Sequence, residues 1–390
     1  MSRRVKKFST GVIVLFCILS LVVGFVGGFL GYAYLTLPKD SDVYISGDLQ
    51  FHFMELGNEH TGDSTYIKAG DVDILIDAGS ETSSIPTICN YINNYITDNT
   101  IEYVIVTYAH EDHYAGFATK ESEESIFDKY TIGTIIDFAQ TEDGKTTKSM
   151  YLNYQRELNE AISRGAKHYT ALDCVKEQNG ASKTYELYGS ITMTILEHRF
   201  YSEADADNEN NHSVCTLFTQ GDNNFLFTGD LDKEGEESLA TINELPKCQL
   251  YKAGHHGSKT SSNECLLVEI DPEIVCVCCC AGNVEYTQKN ENRFPTQEFI
   301  DRIAPYTDKI YVTTLGLITE SRDEGGNIEY NSDGTIKYKN NGFQSFNGNI
   351  VVTSNKKGVK VDCSNNNTIL KDTDWFKNNR TTPNAWLQSA

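Results

Sequence analysis

The 390-residue sequence is short of positive charge: 33 Lys and Arg stand against 55 Asp and Glu, a formal net charge of −22. That balance excludes a broad basic surface and disfavours non-specific binding to nucleic acid. Charge of either sign is missing altogether from Phe8 to Pro38. Such a run exceeds the ~20 residues that span a bilayer, and it is too long for the apolar core of a cleaved secretory signal. Arg3, Arg4, Lys6 and Lys7 precede it, and Asp40 and Asp42 follow it. These flanks predict one N-terminal transmembrane helix, with the N-terminus in the cytoplasm and the rest of the chain outside the cell. No repeat of short period is present. The 11 cysteines, one of them (Cys17) in the apolar run, supply no obvious framework. In Ile274-Val-Cys-Val-Cys-Cys-Cys-Ala281, neighbouring strand residues point to opposite faces and cannot share one ion, so the run reads as a buried strand with Cys as a small hydrophobe.

What is present is enough for a full core: 39% of the residues are hydrophobic. The expected organisation is a cytoplasmic tip at 1–7, an anchor at 8–37, a linker at 38–48, a main domain at 49–363 and a polar tail at 364–390 in which Trp375 and Trp386 dock. Strands are predicted at Leu49–Leu56, Ser64–Lys68, Val72–Asp77 and Tyr103–Thr107. Ile85, Ile88, Ile92 and Ile96 recur at helical spacing between Ser83 and Thr100. Strand, helix and strand in this order make an α/β unit. Residues 117–175 read as an insertion over the site, with Tyr151, Tyr154, Leu158 and Ile162 on a helix that stops at Gly165. Further strands are predicted at Ser190–Leu196, Val214–Thr219 and Phe225–Thr228. Phe294–Ile303 reads as a helix with Pro in its first turn, Thr319–Asn341 as a long polar loop, and Gly348–Asp362 as a hairpin turning at Asn355–Gly358.

Three strand ends carry metal-binding side chains. Val104-Ile-Val-Thr-Tyr-Ala-His-Glu-Asp-His113 runs from β-branched residues into His110, Asp112 and His113. Asn224-Phe-Leu-Phe-Thr-Gly-Asp230 ends on a carboxylate. Leu250-Tyr-Lys-Ala-Gly-His-His-Gly-Ser258 turns through Gly254 and delivers His255 and His256. Ligands at the carboxyl edge of buried strands are how α/β sheets present a site. Imidazole with carboxylate suits zinc, manganese or iron. Asp112, His113, Asp230 and one of His255 or His256 make one divalent-ion site with open positions for water.

The order Asp77-Ala-Gly79, His110-Glu-Asp-His113, Thr228-Gly-Asp230 and Gly254-His-His-Gly-Ser258 resembles the metallo-β-lactamase superfamily. Within it the chain is similar to the ectodomain hydrolase of the ComEC/Rec2 DNA-uptake family. Phe53-Met-Glu-Leu-Gly57, Gly62-Asp-Ser64, Glu209-Asn-Asn-His-Ser213 and Gly254-His-His-Gly-Ser-Lys-Thr-Ser-Ser262 add to the match, which runs over roughly residues 50–363. The resemblance implies an α/β fold, an αββα sandwich of the metallo-β-lactamase type, and one or two divalent ions, zinc or manganese, with Asp230 as a bridge. In one respect the chain departs from the family: its metal motif usually begins with a His two residues before the position of His110, and Tyr108 stands there. The second-site set, Asp112, His113, Asp230 and the His255–His256 loop, is complete.

The resulting expectation is a membrane-anchored extracellular metallo-hydrolase of phosphodiesters. His110, Asp112, His113, Asp230, His255 and His256 are the candidate metal ligands. Asp112, Tyr108, Lys259 and Asn211 are the candidate catalytic residues, with Tyr108 donating a hydrogen bond to substrate or water and Lys259 holding an anionic group. Asp77 is a candidate to orient a ligand His. Asn210 and His212 sit where the resembled family places polar active-site residues. Nucleic acid is among the substrates the resemblance implies, and the net charge disfavours it. Two rivals remain: hydrolysis of another ester, such as a cell-wall phosphodiester or a lactone, and a non-catalytic ectodomain with a degenerate site.

Overall fold

Alternating apolar residues build two sheets. The structure, a computed structural model, describes residues 49–142, 144–203, 208–355 and 358–388. In the first sheet, β1 (Leu49–Phe53), β2 (Thr65–Ala69) and β3 (Val72–Ile76) form an antiparallel meander. β4 (Thr100–Ile105), β5 (Thr131–Asp137) and β6 (Lys167–Thr170) extend it in parallel. The second sheet opens with antiparallel β7 (Thr184–Tyr188), β8 (Ile191–Leu196), β9 (Cys215–Gln220) and β10 (Asn223–Phe227). It continues in parallel through β11 (Leu250–Lys252), β12 (Ile274–Ala281) and β13 (Ile310–Glu320), and closes on antiparallel β14 (Tyr338–Ser345). The chain then returns to the first sheet as a hairpin, β15 (Ile350–Asn355) and β16 (Gly358–Cys363), whose β15 pairs with β1. Among the described residues each sheet has eight strands, ordered β16-β15-β1-β2-β3-β4-β5-β6 and β14-β13-β12-β11-β10-β9-β8-β7.

The sheets pack face to face through aromatics. Phe51 on β1 meets Phe218, Phe225 and Phe227 at ring-centroid distances of 5.5, 4.6 and 5.6 Å. Period-two alternation then decides which side each residue serves. On β12, Cys276 and Cys278 enter the core between the sheets, while Val275, Val277 and Cys279 join an outer core with Leu266, Leu267, Phe299 and Ile300. Those four come from helices Glu264–Ile270 and Gln297–Ile303. Helix Ile85–Ile92 carries Tyr91 onto His52 of β1, a residue away from the inter-sheet Phe51. The layers are therefore αββα. The cysteines of β12 are buried and free, as small hydrophobes.

Three expectations change. Residues 117–175 are not an insertion over the site: they supply β5, helix Ser149–Ser163 and β6, and so complete the first sheet. The polar stretch 319–341 is not simply a loop, because its ends are the arms of the β13–β14 hairpin, paired at Ile318↔Asn340, Thr319↔Lys339 and Glu320↔Tyr338. Strand arms that are at most partly buried need no apolar alternation, which is why the pattern hides them. The predicted helix at Ser83–Thr100 ends at Ile92, and Ile96 packs on the core from the following turn. In the tail, Trp386 is buried against Phe376 and its indole N–H donates to Thr307 O at 3.1 Å. Among the described residues no helix is long and apolar enough to cross a membrane. The run 8–38 lies outside the described residues.

The fold also buries neutral imidazoles. His52 is bonded to Tyr91 Oη at 2.8 Å and His198 Nε2 to Ser213 O at 2.9 Å. Burial pulls their pKa values down to about 3 and about 4. An unfolded histidine takes up its proton near pH ~6.5. Below that pH the unfolded state binds more protons, so stability should fall with acidification, by about 1.4 kcal/mol per pH unit for each such His. Thermal melts between pH 6.5 and 5 should show the decline, and His52→Gln should make it shallower, with His198 supplying the rest. A flat melting temperature over that window would contradict this account.

Candidate metal centre

The ends of β3, β4, β10 and β11 meet at one edge of the sandwich and supply the centre. Asp77 follows β3 in the left-handed region (φ 60°). Its carboxylate accepts the Thr107 N–H at 2.8 Å and the Thr107 hydroxyl at 2.7 Å, tying it to the loop after β4. Its Oδ2 lies 2.7 Å from His113 Nδ1. On the other sheet, His256 Nδ1 lies 2.8 Å from the carbonyl oxygen of Cys278. Both imidazoles are fully buried, and both have Nδ1 engaged, which aims Nε2 at the centre. His255 and His256 both have positive φ (46° and 51°). For residues with a Cβ that conformation is strained, and it is found mostly at functional sites.

The inward-facing atoms have the spacing of a coordination sphere. His113 Nε2 is 3.3 Å from His256 Nε2 and 3.3 Å from Asp230 Oδ2. His256 Nε2 is 3.3 Å from Asp230 Oδ2 and 3.3 Å from Asp112 Oδ2. A tetrahedral ion with bonds of ~2.0–2.1 Å has ligand–ligand edges of about 3.3 Å. His113, Asp230 and His256 thus fit one divalent cation, and Asp112 Oδ2 borders that set at His256 Nε2. Asp63 also brings a carboxylate oxygen within 4.8 Å of His113, Asp230 and His256. It faces the Nδ1 side of both rings (3.8 Å to His113, 3.3 Å to His256), so it supports the imidazoles from behind.

The imidazoles and carboxylates of this cluster are paired in charge. Burial alone would lower His113 and His256, but Asp230 with Asp77, and Asp230 with Asp63, outweigh it; His113 is raised well above the ordinary value and His256 to about 10. Burial pushes Asp230 up, yet His256, His113 and His255 hold it well below the usual carboxylate range.

Tyr108 does not point to solvent. Its fully buried hydroxyl donates to Asp230 Oδ2 at 2.7 Å, the same oxygen that faces the two imidazoles. Burial and the Asp230 charge raise its pKa well above 10, so it stays a phenol and a poor ligand. Lys252, at the end of β11, is also buried: its ammonium lies against Asp63 Oδ2 and 3.7 Å from Asp230 Oδ1. Neither Asp63 nor Lys252 was expected from the motifs. Residue parity on β11 carried the signal for Lys252, since Leu250 and Lys252 share the face turned to the inter-sheet core.

Above the centre opens a cleft of 560 Å³, whose lining includes His110, Asp112, Asn210, His255 and Tyr286. Tyr286 donates to Asp112 Oδ2 at 2.7 Å. His110 packs edge-on to Tyr108 at 4.7 Å, and burial together with Lys145 lowers its pKa to about 4. His255, a candidate ligand, sits outside the tight set: its Nε2 is 3.9 Å from Asp230 Oδ2, and its Nδ1 is 3.0 Å from Thr260 Oγ1. Lys259, expected to hold an anionic group, instead donates to Asn292 Oδ1 at 2.9 Å on the exposed surface. Asn211, expected beside the reacting atoms, is buried behind the wall, and it is Asn210 that lines the cleft. His212 is buried 3.6 Å from Glu209.

No family model matches the chain. It is 27% identical over 135 residues to Recombination protein 2 of Haemophilus influenzae, covering 35% of this chain and 16% of that protein. To ComE operon protein 3 of Bacillus subtilis it is 27% identical over 136 residues, 35% of this chain and 15% of the relative. The matched region thus spans about a sixth of the length of these relatives. Among solved structures, the metallo-β-lactamase-fold protein YhfI of Bacillus subtilis aligns at a TM-score of 0.39 and 10% identity, over 68% of this chain and 95% of its own. The short form of human tRNase Z aligns at 0.30 and 12% identity, over 67% and 93%. In fold the chain is a two-sheet αββα sandwich, and in sequence it is similar, over about a third of its length, to the ComEC/Rec2 competence proteins.

Proposed function

We propose that this chain is a membrane-anchored hydrolase, its domain outside the cell, that cleaves phosphodiesters with one divalent cation, zinc or manganese. The observation that carries this reading is the trio of His113, Asp230 and His256, mutually spaced 3.3 Å apart and bordered by Asp112 at 3.3 Å from His256, beneath an open cleft. The anchor rests on the charge-free run 8–38. Nucleic acid, which the ComEC/Rec2 resemblance implies, is disfavoured by the net charge of −22.

A divalent cation bound here supplies a Lewis acid that acidifies water and polarises a phosphoryl oxygen. The protein's own part is to hold and orient. Asp77 and the Cys278 carbonyl fix the two imidazoles, and Tyr286 fixes Asp112. Tyr108 donates to Asp230 Oδ2, the oxygen that faces both imidazoles, and so fixes that carboxylate. His110, His255 and Asn210 present polar atoms to whatever enters the cleft.

Elemental analysis of the purified chain should find one zinc or manganese. Hydrolysis of bis-p-nitrophenyl phosphate should vanish with chelation and return with the metal. Tyr108→His should raise metal content toward two ions, because imidazole binds borderline ions at neutral pH and a phenol does not. Unchanged content in that variant would mean that Tyr108 is not what limits the site to one ion. The bond from Tyr108 to Asp230 also favours a second reading, a binding ectodomain without turnover; metal retained with no ester cleaved would select it.

A further inference from the structure

The C-terminal tail reaches toward the metal centre through Arg380. This residue ends the short helix Asp374–Asn379 and lies over the ring of Trp375, its Cζ 4.9 Å from the centroid. Its guanidinium donates from Nη2 to Arg293 O at 2.6 Å, from Nε to Pro295 O at 2.9 Å and from Nη1 to Asn379 O at 2.7 Å. The carbonyl between the first two, Phe294 O, accepts the Gly282 N–H at 2.8 Å. Trp375 backs that bond, since a Cβ on Gly282 would collide with the indole nitrogen. Three consecutive carbonyls are thus held, two of them by one planar fork. The held segment in turn braces the His255–His256 loop. Thr296 donates its N–H and its hydroxyl to Gly257 O, at 2.9 and 3.2 Å, and a Cβ on Gly257 would stand 2.7 Å from Pro295 Cβ. The Phe294 ring packs on His255 and His256 at centroid distances of 5.6 and 6.0 Å, and on Tyr286, which holds Asp112, at 5.7 Å. The loop needs such bracing. Both histidines have positive φ, and strain of that kind persists only where the surroundings over-determine the backbone.

Resting on the metal-centre reading above, we infer that Arg380 is a positioning residue for the His255–His256 loop. Its guanidinium clamps the backbone at 293–295, which seats Phe294 against both imidazoles and Thr296 against Gly257. His256 Nδ1 is fixed by the Cys278 carbonyl, and the clamp adds the second constraint that keeps Nε2 aimed at Asp230. The tail is therefore part of the metal site's frame, although no residue of it touches the cation's ligands.

The test reads zinc affinity of the full chain in detergent, by competition with a chromophoric chelator. Arg380→Ala should weaken it by roughly three- to tenfold, below the range for a partner that touches a ligand imidazole directly. Arg380→Lys should recover little, because one ammonium cannot reproduce the two-armed fork. Trp386→Phe loosens the same tail by losing the bond to Thr307 O, and it should leave the affinity unchanged. Combined with Phe294→Leu, Arg380→Ala should cost less than the sum of the two changes, since both act through one ring. Unchanged affinity in Arg380→Ala, an equal loss in Trp386→Phe, or strict additivity with Phe294→Leu would each overturn the proposal. A parent chain that binds no zinc would overturn the metal-centre reading instead, and amide exchange of the metal-free chain then decides the clamp alone. Exchange at Gly282 and Thr296, whose N–H groups bond to Phe294 O and Gly257 O, should speed up by roughly tenfold or more in Arg380→Ala. Unchanged exchange at both amides would refute the clamp.

Discussion

Asp230→Asn should strip the chain of its divalent ion, lowering metal affinity by more than roughly 100-fold and taking phosphodiester turnover with it. The substitution keeps the shape of the side chain, so no cavity forms in a centre where Asp230 is fully buried. What it removes is the one charge that faces both imidazoles at 3.3 Å and accepts the Tyr108 hydroxyl at 2.7 Å. Partners that only orient a ligand typically cost 10–100-fold when changed, and a direct ligand costs more. Asp77→Asn gives the graded control, because Asp77 touches only the Nδ1 side of His113 and should fall within that smaller range. Metal content after dialysis, read with a competition titration, separates the two variants. One ion held by Asp230→Asn at unchanged affinity would remove Asp230 from the coordination sphere.

The sequence carries the ligands because each one sits where a buried strand stops. Short apolar runs ending in His110-Glu-Asp-His113, Asp230 and His255–His256 can be seen without coordinates, and so can the departure at Tyr108. Choosing between His255 and His256 required the backbone, since both have positive φ and only the rotation between them decides which ring enters the core. The rear supports were harder to read. Asp63 lies in a loop before β2 with no apolar pattern around it, and it reaches the centre only because its N–H is bonded to Asp112 O at 2.9 Å. The two-sheet architecture follows from strand after strand of alternating residues, but β5 and β6 flank a stronger signal. Tyr154 and Leu158, at helical spacing on helix Ser149–Ser163, suggest a helical insertion, whereas they pack on the first sheet's core.

Lys252→Met should destabilise the domain by about 3–5 kcal/mol, the usual cost of removing one member of a buried ion pair and leaving the other charged. Lys252 is 3% exposed, Asp63 is 3% exposed, and the ammonium lies against the Asp63 carboxylate. Burial would pull the lysine down, but Asp63 and Asp230 outweigh it and raise its pKa, so it is a fixed cation at any physiological pH. Methionine fills a similar volume, which confines the loss to charge and hydrogen bonding. The melting temperature should drop by several degrees. Replacing both members, Lys252→Met with Asp63→Leu, should recover most of that loss, because an apolar pair avoids burying two ions. Non-additivity in this cycle measures the coupling directly, provided the comparison is made after chelation, so that bound metal does not add its own stabilisation. If Lys252→Met alone left the melting temperature unchanged, Asp63 would be either protonated or fully balanced by His256 in the folded chain. A neutral Asp63 would then be a donor rather than an acceptor at the Nδ1 side of His256, and the account of how that imidazole is held in place would change with it.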